Sequence, residues 1–241
     1  MSVAVATVDG MDIILIPGLW LDADSWADVT PPLIAAGRRV HPLTMPGTGA
    51  PASESSAIGM SDWVNAVVDV IDRIDGRVVL VGHSGGGNVV WGAADARPGR
   101  VARVVFVDTA PPASGFSISE FDVVDGVVPF PGWDFFDEPD VHDLDAATRA
   151  RTAPLTKSVP ARVPTDPIEL SNPGRFAVPV TLLMGGIDRD AFEQMLTEWG
   201  AALDEYRALE DVEVITLGSG HWPQFSMPQR LAEQILVAVD R

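Results

Sequence analysis

A chain of 241 residues, 46% hydrophobic and 21% charged, carries enough apolar material for one large domain or two small ones. That balance excludes a disordered, charge-dominated chain. Its 34 acidic against 16 basic residues give a formal net charge of −18, which repels phosphate backbones and anionic lipid and so argues against nucleic-acid or membrane partners. Cysteine is absent, which removes disulfides, Cys-bound metals and a thiol nucleophile from consideration.

The first basic residue is Arg38, and Asp9 and Asp12 fall where a secretory leader needs an apolar run, so a cytoplasmic protein is expected. Residues 3–8 form a weak strand candidate. Residues 13–16, four branched apolar residues ended by Pro17-Gly18, form a strong one, and residues 39–43 a second weak one. Trp63, Val67, Val70, Ile71 and Ile74 repeat at helical spacing. Residues 78–81 read as a strand, 86–96 as a helix of small residues, and 104–107 as the next strand. After a long interruption come a strand at 180–184 and a helical pattern running from Phe192 through Met195, Leu196, Trp199 and Leu203 to Tyr206. A strand at 212–217 and a last helix through Leu231, Ile235 and Val239 complete the chain. Strands apolar on both faces, alternating with helices, predict an α/β fold: a mostly parallel central sheet with helices on both faces.

The alternation fails between Asp108 and Pro179, a stretch punctuated by prolines. So long a plain loop is unusual inside a compact domain. We therefore expect a core made of residues 1–112 and 176–241 and a small lid inserted at 113–175. Phe116, Phe121, Phe130, Trp133, Phe135 and Phe136 give that segment apolar surface for a substrate or for its own attachment. The acidic run Asp134, Asp137, Glu138, Asp140, Asp143 and Asp145 reads as a solvated face.

Gly82-His83-Ser84-Gly85-Gly86 fits the pattern G-x-S-x-G between a pure apolar strand and a helix. A serine on such a sharp turn presents its oxygen at the sheet edge, and its neighbours must be small because strand and helix nearly touch. Ser84 is the candidate nucleophile, and it needs a base. His83 points away from its neighbour, His41 lies in a strand as a packing residue, and His142 sits in the acidic stretch as a surface residue. His221, in Gly218-Ser219-Gly220-His221, follows a strand on a mobile turn and is the candidate base. A phosphate-binding loop at 82–87 is rejected because no Lys-Ser/Thr follows it.

With these residues the chain resembles the α/β-hydrolase superfamily, in its small esterase and lyase branch, over nearly its whole length. Pro17-Gly18-Leu19, the turn Met45-Pro46-Gly47-Thr48-Gly49 and the stretch from His221-Trp222-Pro223 to Pro228 carry the likeness further. Pro17 departs from it, standing where most members have histidine. The resemblance implies the order Ser84, Asp188, His221 for nucleophile, acid and base, with the amides of Leu19 and Gly85 as oxyanion donors and no metal or organic cofactor. Asp108, at the end of the strand 104–107, is the alternative acid. Asp188 is preferred because Gly185-Gly186 frees the backbone before it, whereas Thr109-Ala110-Pro111-Pro112 makes a stiff exit after Asp108.

Trp20, Trp133, Phe136 and Trp222 are the expected substrate contacts. The expected activity is hydrolysis of a small apolar ester, lactone or thioester. The alternatives are a lyase or C–C bond hydrolase, for which Lys157, the only lysine, is a poor charge-steering group, and a non-catalytic ligand-binding relative. The expected partner is a small-molecule substrate, with a second copy of the chain left open.

Overall fold

The computed structural model describes residues 10–198 and 200–241. The strand candidate at 3–8, and Trp199 of the helical pattern, lie outside the described residues. The strands are β1 (Asp12–Ile16), β2 (Arg39–Pro42), β3 (Val78–His83), β4 (Val101–Val107), β5 (Val127–Val128), β6 (Val159–Pro160), β7 (Val180–Met184) and β8 (Val212–Thr216). Six of them form one sheet in the order β2-β1-β3-β4-β7-β8, with every neighbouring pair parallel. The short β5 and β6 pair antiparallel, apart from it.

The two apolar faces of the sheet follow from strand alternation. Ile14, Ile16, Leu80, Val104, Phe106 and Leu182 face one core. Ile13, Leu15, Val79, Val81, Val105 and Val107 face the other. Ten helices are described: α1 (Thr30–Ala35), α2 (Ala52–Ser55), α3 (Met60–Arg73), α4 (Gly86–Ala96), α5 (Glu138–Val141), α6 (Ala146–Thr152), α7 (Arg189–Glu198), α8 (Ala201–Arg207), α9 (Pro223–Ser226) and α10 (Pro228–Val239). Helix α3 buries Trp63, Val67, Val68 and Ile71 against the first core. Helix α10 buries Leu231, Ala232, Ile235 and Ala238 against the second. The expected doubly covered parallel sheet is therefore present. The single helical pattern from Phe192 to Tyr206 is instead carried by two helices, α7 and α8, with Gly200 in the left-handed region at the head of the second.

Two close approaches explain the glycines around Ser84. A Cβ on Gly82 would stand 2.6 Å from the Gly86 carbonyl oxygen, and one on Gly86 would stand 2.6 Å from that of Pro17. The strand β3, the helix α4 and the loop after β1 thus meet backbone to backbone. Helix α4 lies buried along Gly86 to Asp95 because its small residues let it do so.

The segment between β4 and β7 holds β5, β6, α5, α6 and several tight turns. Phe121, Phe130 and Phe136 set their ring edges against Trp20, with centroids 4.8–5.9 Å apart. Trp133 meets Trp222 and Phe225 edge-on, at 5.0 and 6.3 Å. Such pairs add roughly 0.5–1.5 kcal/mol each beyond their buried area and fasten the segment over the carboxyl ends of the strands.

Candidate active site

Ser84 follows β3 in a left-handed conformation, φ 50°, which non-glycine residues rarely adopt and which marks a sharp turn held by its surroundings. Its N–H donates to the Val107 carbonyl of the adjacent strand at 3.1 Å. Asp108 follows β4 in the same unusual region, φ 47°, and its N–H donates to the Leu183 carbonyl of β7 at 2.8 Å. Neighbouring strands therefore turn sharply at neighbouring positions and bring both side chains to one edge of the sheet. After β8, the loop Gly218-Ser219-Gly220 hangs on Gly185 through the Gly218 and Ser219 N–H groups and delivers His221 to the same edge.

His221 joins the other two. Its Nδ1 lies 2.5 Å from Asp108 Oδ2, and its Nε2 lies 2.8 Å from Ser84 Oγ. Burial pushes the Asp108 carboxyl up. The hydrogen bond from His221, its charge and the Gly185 N–H outweigh that and hold it below the ordinary carboxylate value. An ionised Asp108 can only accept, so Nδ1 carries the ring proton and Nε2 is free to accept the serine hydroxyl proton.

The expected acid, Asp188, is not at this site. It is exposed at the start of α7, where its Oδ1 accepts the Ala191 N–H at 2.9 Å as a helix cap. The glycines before it serve its rival. The Gly185 N–H donates to Asp108 Oδ1 at 2.7 Å, and a Cβ at 185 would stand 2.9 Å from that oxygen and from the Ser219 and Gly220 carbonyls. The Gly-Gly turn makes room for the carboxylate of the adjacent strand; it does not swing Asp188 inward. The stiff exit after Asp108 is no obstacle, because the reversal occurs at Asp108 itself.

The other histidines fall as expected. His41 Nε2 lies 2.7 Å from Asp12 in β1, and His142 is exposed, its Nδ1 3.0 Å from the Pro139 carbonyl. His83 is buried beneath the site, with its Nε2 2.7 Å from the His221 carbonyl and Gln224 Nε2 3.3 Å from its Nδ1. Burial, with the neighbouring His221 charge, pushes its pKa down to about 3. His83 thus stays neutral in the folded protein, while the unfolded chain protonates it below about pH 6.5. The unfolded state binds the extra proton, so the penalty is absent above pH 6.5 and grows as pH falls toward 3. His83→Gln should therefore lose about 2 kcal/mol less stability than the parent between pH 7 and pH 5. Urea unfolding at both pH values checks this; identical pH dependence in the two proteins would contradict a buried neutral His83.

The acidic run is not all solvated. The Asp140 carbonyl accepts the His221 N–H at 2.7 Å, and Asp143 Oδ2 accepts the Gly220 N–H at 2.8 Å. A Cβ on Gly220 would collide with both residues, at 2.3 Å from the Asp140 carbonyl oxygen and 2.6 Å from Asp143 Oδ1. No sequence pattern marks these contacts, because they join residues about 80 apart through backbone groups.

Ser84, Gly85 and His221 open on a cavity of about 340 Å³, also lined by Asn88, Thr109, Phe116 and Ile118. None of the expected contacts Trp20, Trp133, Phe136 and Trp222 lines it. These four pack on one another, Phe136 meeting Trp20 at 5.9 Å and Trp222 at 4.7 Å. Their indole and phenyl surface is spent on attaching the 113–175 segment. A second cavity of about 340 Å³ lies behind the pair, against Asp108, Asp140, Met184, Phe192, Gly220 and His221. A larger one of about 560 Å³, between Glu120 and Phe135, includes neither Ser84 nor His221.

The pattern of the alpha/beta hydrolase family matches residues 13–234. The chain belongs to that family. It is 32% identical over 112 residues to a pyrethroid hydrolase of Sphingobium wenxiniae, a match covering 46% of this chain and 40% of that protein. It is 36% identical over 106 residues to the esterase PIR7B of Oryza sativa subsp. japonica, covering 42% and 40% respectively. The matched stretches thus span two fifths of these relatives. A crystal structure of the methylesterase MES16 from Arabidopsis superposes with a TM-score of 0.71 at 19% identity, covering 95% of this chain and 99% of that one, and so shares the fold. No helix among the described residues is long and apolar enough to cross a membrane.

Proposed function

We propose that this alpha/beta hydrolase cleaves small carboxylic esters through an acyl-enzyme on Ser84, with His221 as base and Asp108 as its orienting acid. The observation that carries the reading is the unbroken hydrogen-bonded chain from Ser84 Oγ through both nitrogens of His221 to Asp108. The matched relatives include a pyrethroid hydrolase and an esterase, which supports an ester as substrate. Lactones and thioesters present the same carbonyl and fall within the same reading.

Ser84 Oγ attacks the carbonyl carbon as its proton passes to His221 Nε2, and Asp108 stabilises the imidazolium. The negative oxygen of the tetrahedral intermediate is received by the N–H groups of Leu19 and Gly85, neither of which has an acceptor among the described residues. Each such donor contributes about 3–4 kcal/mol to lowering the barrier. Collapse breaks the ester C–O bond, and the alcohol leaves with the proton held on His221. Water, deprotonated by the same nitrogen, then frees the acid from Ser84. Each proton and each charge has a partner in the chain, so the steps require no metal or organic cofactor.

The lyase reading draws no support from Lys157. Its ammonium group bonds the Pro154 carbonyl at 3.2 Å and lies 4.0 Å from Asp22, and it does not line the Ser84 cavity. The segment 113–175 acts in this proposal as the lid, since Phe116 and Ile118 come from it to wall the cavity. Turnover of a nitrophenyl ester series, with release of alcohol and acid in equal amounts, tests the reading. A protein that leaves every ester intact but binds it would overturn hydrolysis in favour of a receptor.

A further inference from the structure

The wall of the Ser84 cavity is mostly carbon, from Ala110, Pro111, Pro112, Phe116, Ile118 and Ala202. Outside Ser84, Asp108 and His221, three polar side chains interrupt it: the exposed Ser117, and Asn88 and Thr109 deeper in. Asn88 stands on the first turn of α4, four residues after Ser84, and is only 7% exposed. Its side-chain amide makes no hydrogen bond to any described residue, although it lines the cavity. Thr109 faces the same space beside it, its methyl packed where a Cβ on Gly87 would come within 2.6 Å, and its hydroxyl is likewise without a partner among the described residues. The polar atoms of Asn88 still reach the cavity, so an occupant that displaces water there must pair with the amide or leave it unsatisfied at a cost of about 1–3 kcal/mol, which an aliphatic residue at this position would not incur.

The electrostatics of the wall narrow what could satisfy Asn88. The ionised group among the lining residues is Asp108, already committed to His221 and Gly185. No Lys or Arg lines the cavity. A second carboxylate on the substrate would find no cation there and would enter a protein of net charge −18.

Resting on the hydrolysis reading above, we propose that Asn88, assisted by Thr109, is a specificity-determining residue. It recognises a neutral ester that carries a hydroxyl or keto oxygen near the reacting carbonyl, in preference to a plain hydrocarbon ester. A site built to hydrogen-bond such a group discriminates strongly against the analogue lacking it, because the protein amide is then left unpaired.

The test compares methyl butanoate with the methyl esters of 2-hydroxy-, 3-hydroxy- and 3-oxobutanoic acid, and ethyl butanoate with 2-hydroxyethyl butanoate. The parent should favour at least one oxygenated ester over its plain partner by about tenfold or more in kcat/KM. Asn88→Leu should bring that ratio close to one, the loss in kcat/KM falling on the oxygenated esters. Asn88→Asp, which keeps the shape and an acceptor, should retain part of the preference for the hydroxy esters, and it serves if the leucine variant fails to fold. Covalent labelling of Ser84 by a small fluorophosphonate is measured in each protein. Unlabelled Ser84 in the parent would defeat the hydrolysis reading itself. Normal labelling with no preference in the parent, or with Asn88→Leu slowing all esters equally, would defeat the role of Asn88 alone.

Discussion

Asp108→Asn should lower kcat by about 10⁴ on the best ester while the protein stays folded, and Asp188→Asn should change kcat less than threefold. An asparagine at 108 can keep the contact to His221 but stabilises the wrong tautomer, with the proton on Nε2, where it cannot accept from Ser84. It also removes the negative charge that balances the imidazolium. Asp188 only caps α7 through Ala191, a role asparagine fills nearly as well, so Asp188→Asn should leave both melting temperature and turnover close to the parent's, and only Asp188→Ala should cost about 1 kcal/mol of stability. Steady-state kinetics and a melting curve for both variants separate the roles. A large rate loss confined to Asp188→Asn would return the acid to the later strand.

Ser84→Ala should cut kcat by about 10⁴ or more and abolish covalent labelling by a fluorophosphonate, with KM little changed. The hydroxyl hydrogen-bonds to His221, but the turn that carries it is set by the backbone bond to Val107 and by the close packing of Gly82 and Gly86, so the fold should survive. Any remaining activity would reflect the amides of Leu19 and Gly85 acting on a bound ester attacked by water. A variant with near-parental turnover would mean that another group attacks the carbonyl.

The sheet was legible because β1, β3 and β4 carry pure apolar runs, β7 and β8 are mostly apolar, and the intervening helices repeat with helical spacing. Ser84 and His221 were legible for a local reason: each sits in a glycine-rich turn directly after a strand. Asp108 was a harder case. Glycine before Asp188 reads locally as freedom for the aspartate, but Gly185 is small for the benefit of Asp108, 77 residues away in sequence and adjacent in the sheet. The unusual backbone at Asp108 leaves no mark on its own residue type, since the left-handed region at a strand end is imposed by neighbours. The aromatic residues of 113–175 misled for a related reason. Composition shows that a segment has apolar surface to bury, and only packing shows that Trp133 and Phe136 bury theirs against Trp222 and Trp20.

The contacts of Asp140 and Asp143 with the His221 turn bear on how this chain could acquire new substrates. The segment that supplies Phe116 and Ile118 to the cavity also supplies the two acceptors that fix the amides of Gly220 and His221. Under the proposed function, recognition and reactivity are therefore written into one stretch of polypeptide. Drift in that stretch is constrained unevenly: side chains facing the cavity can vary one at a time, whereas insertions or deletions between residues 118 and 140 shift the registration of the base. Exchanging the whole segment with a relative's would change substrate range and histidine alignment together, and a graft that preserves the geometry of residues 140–143 is the one that keeps turnover.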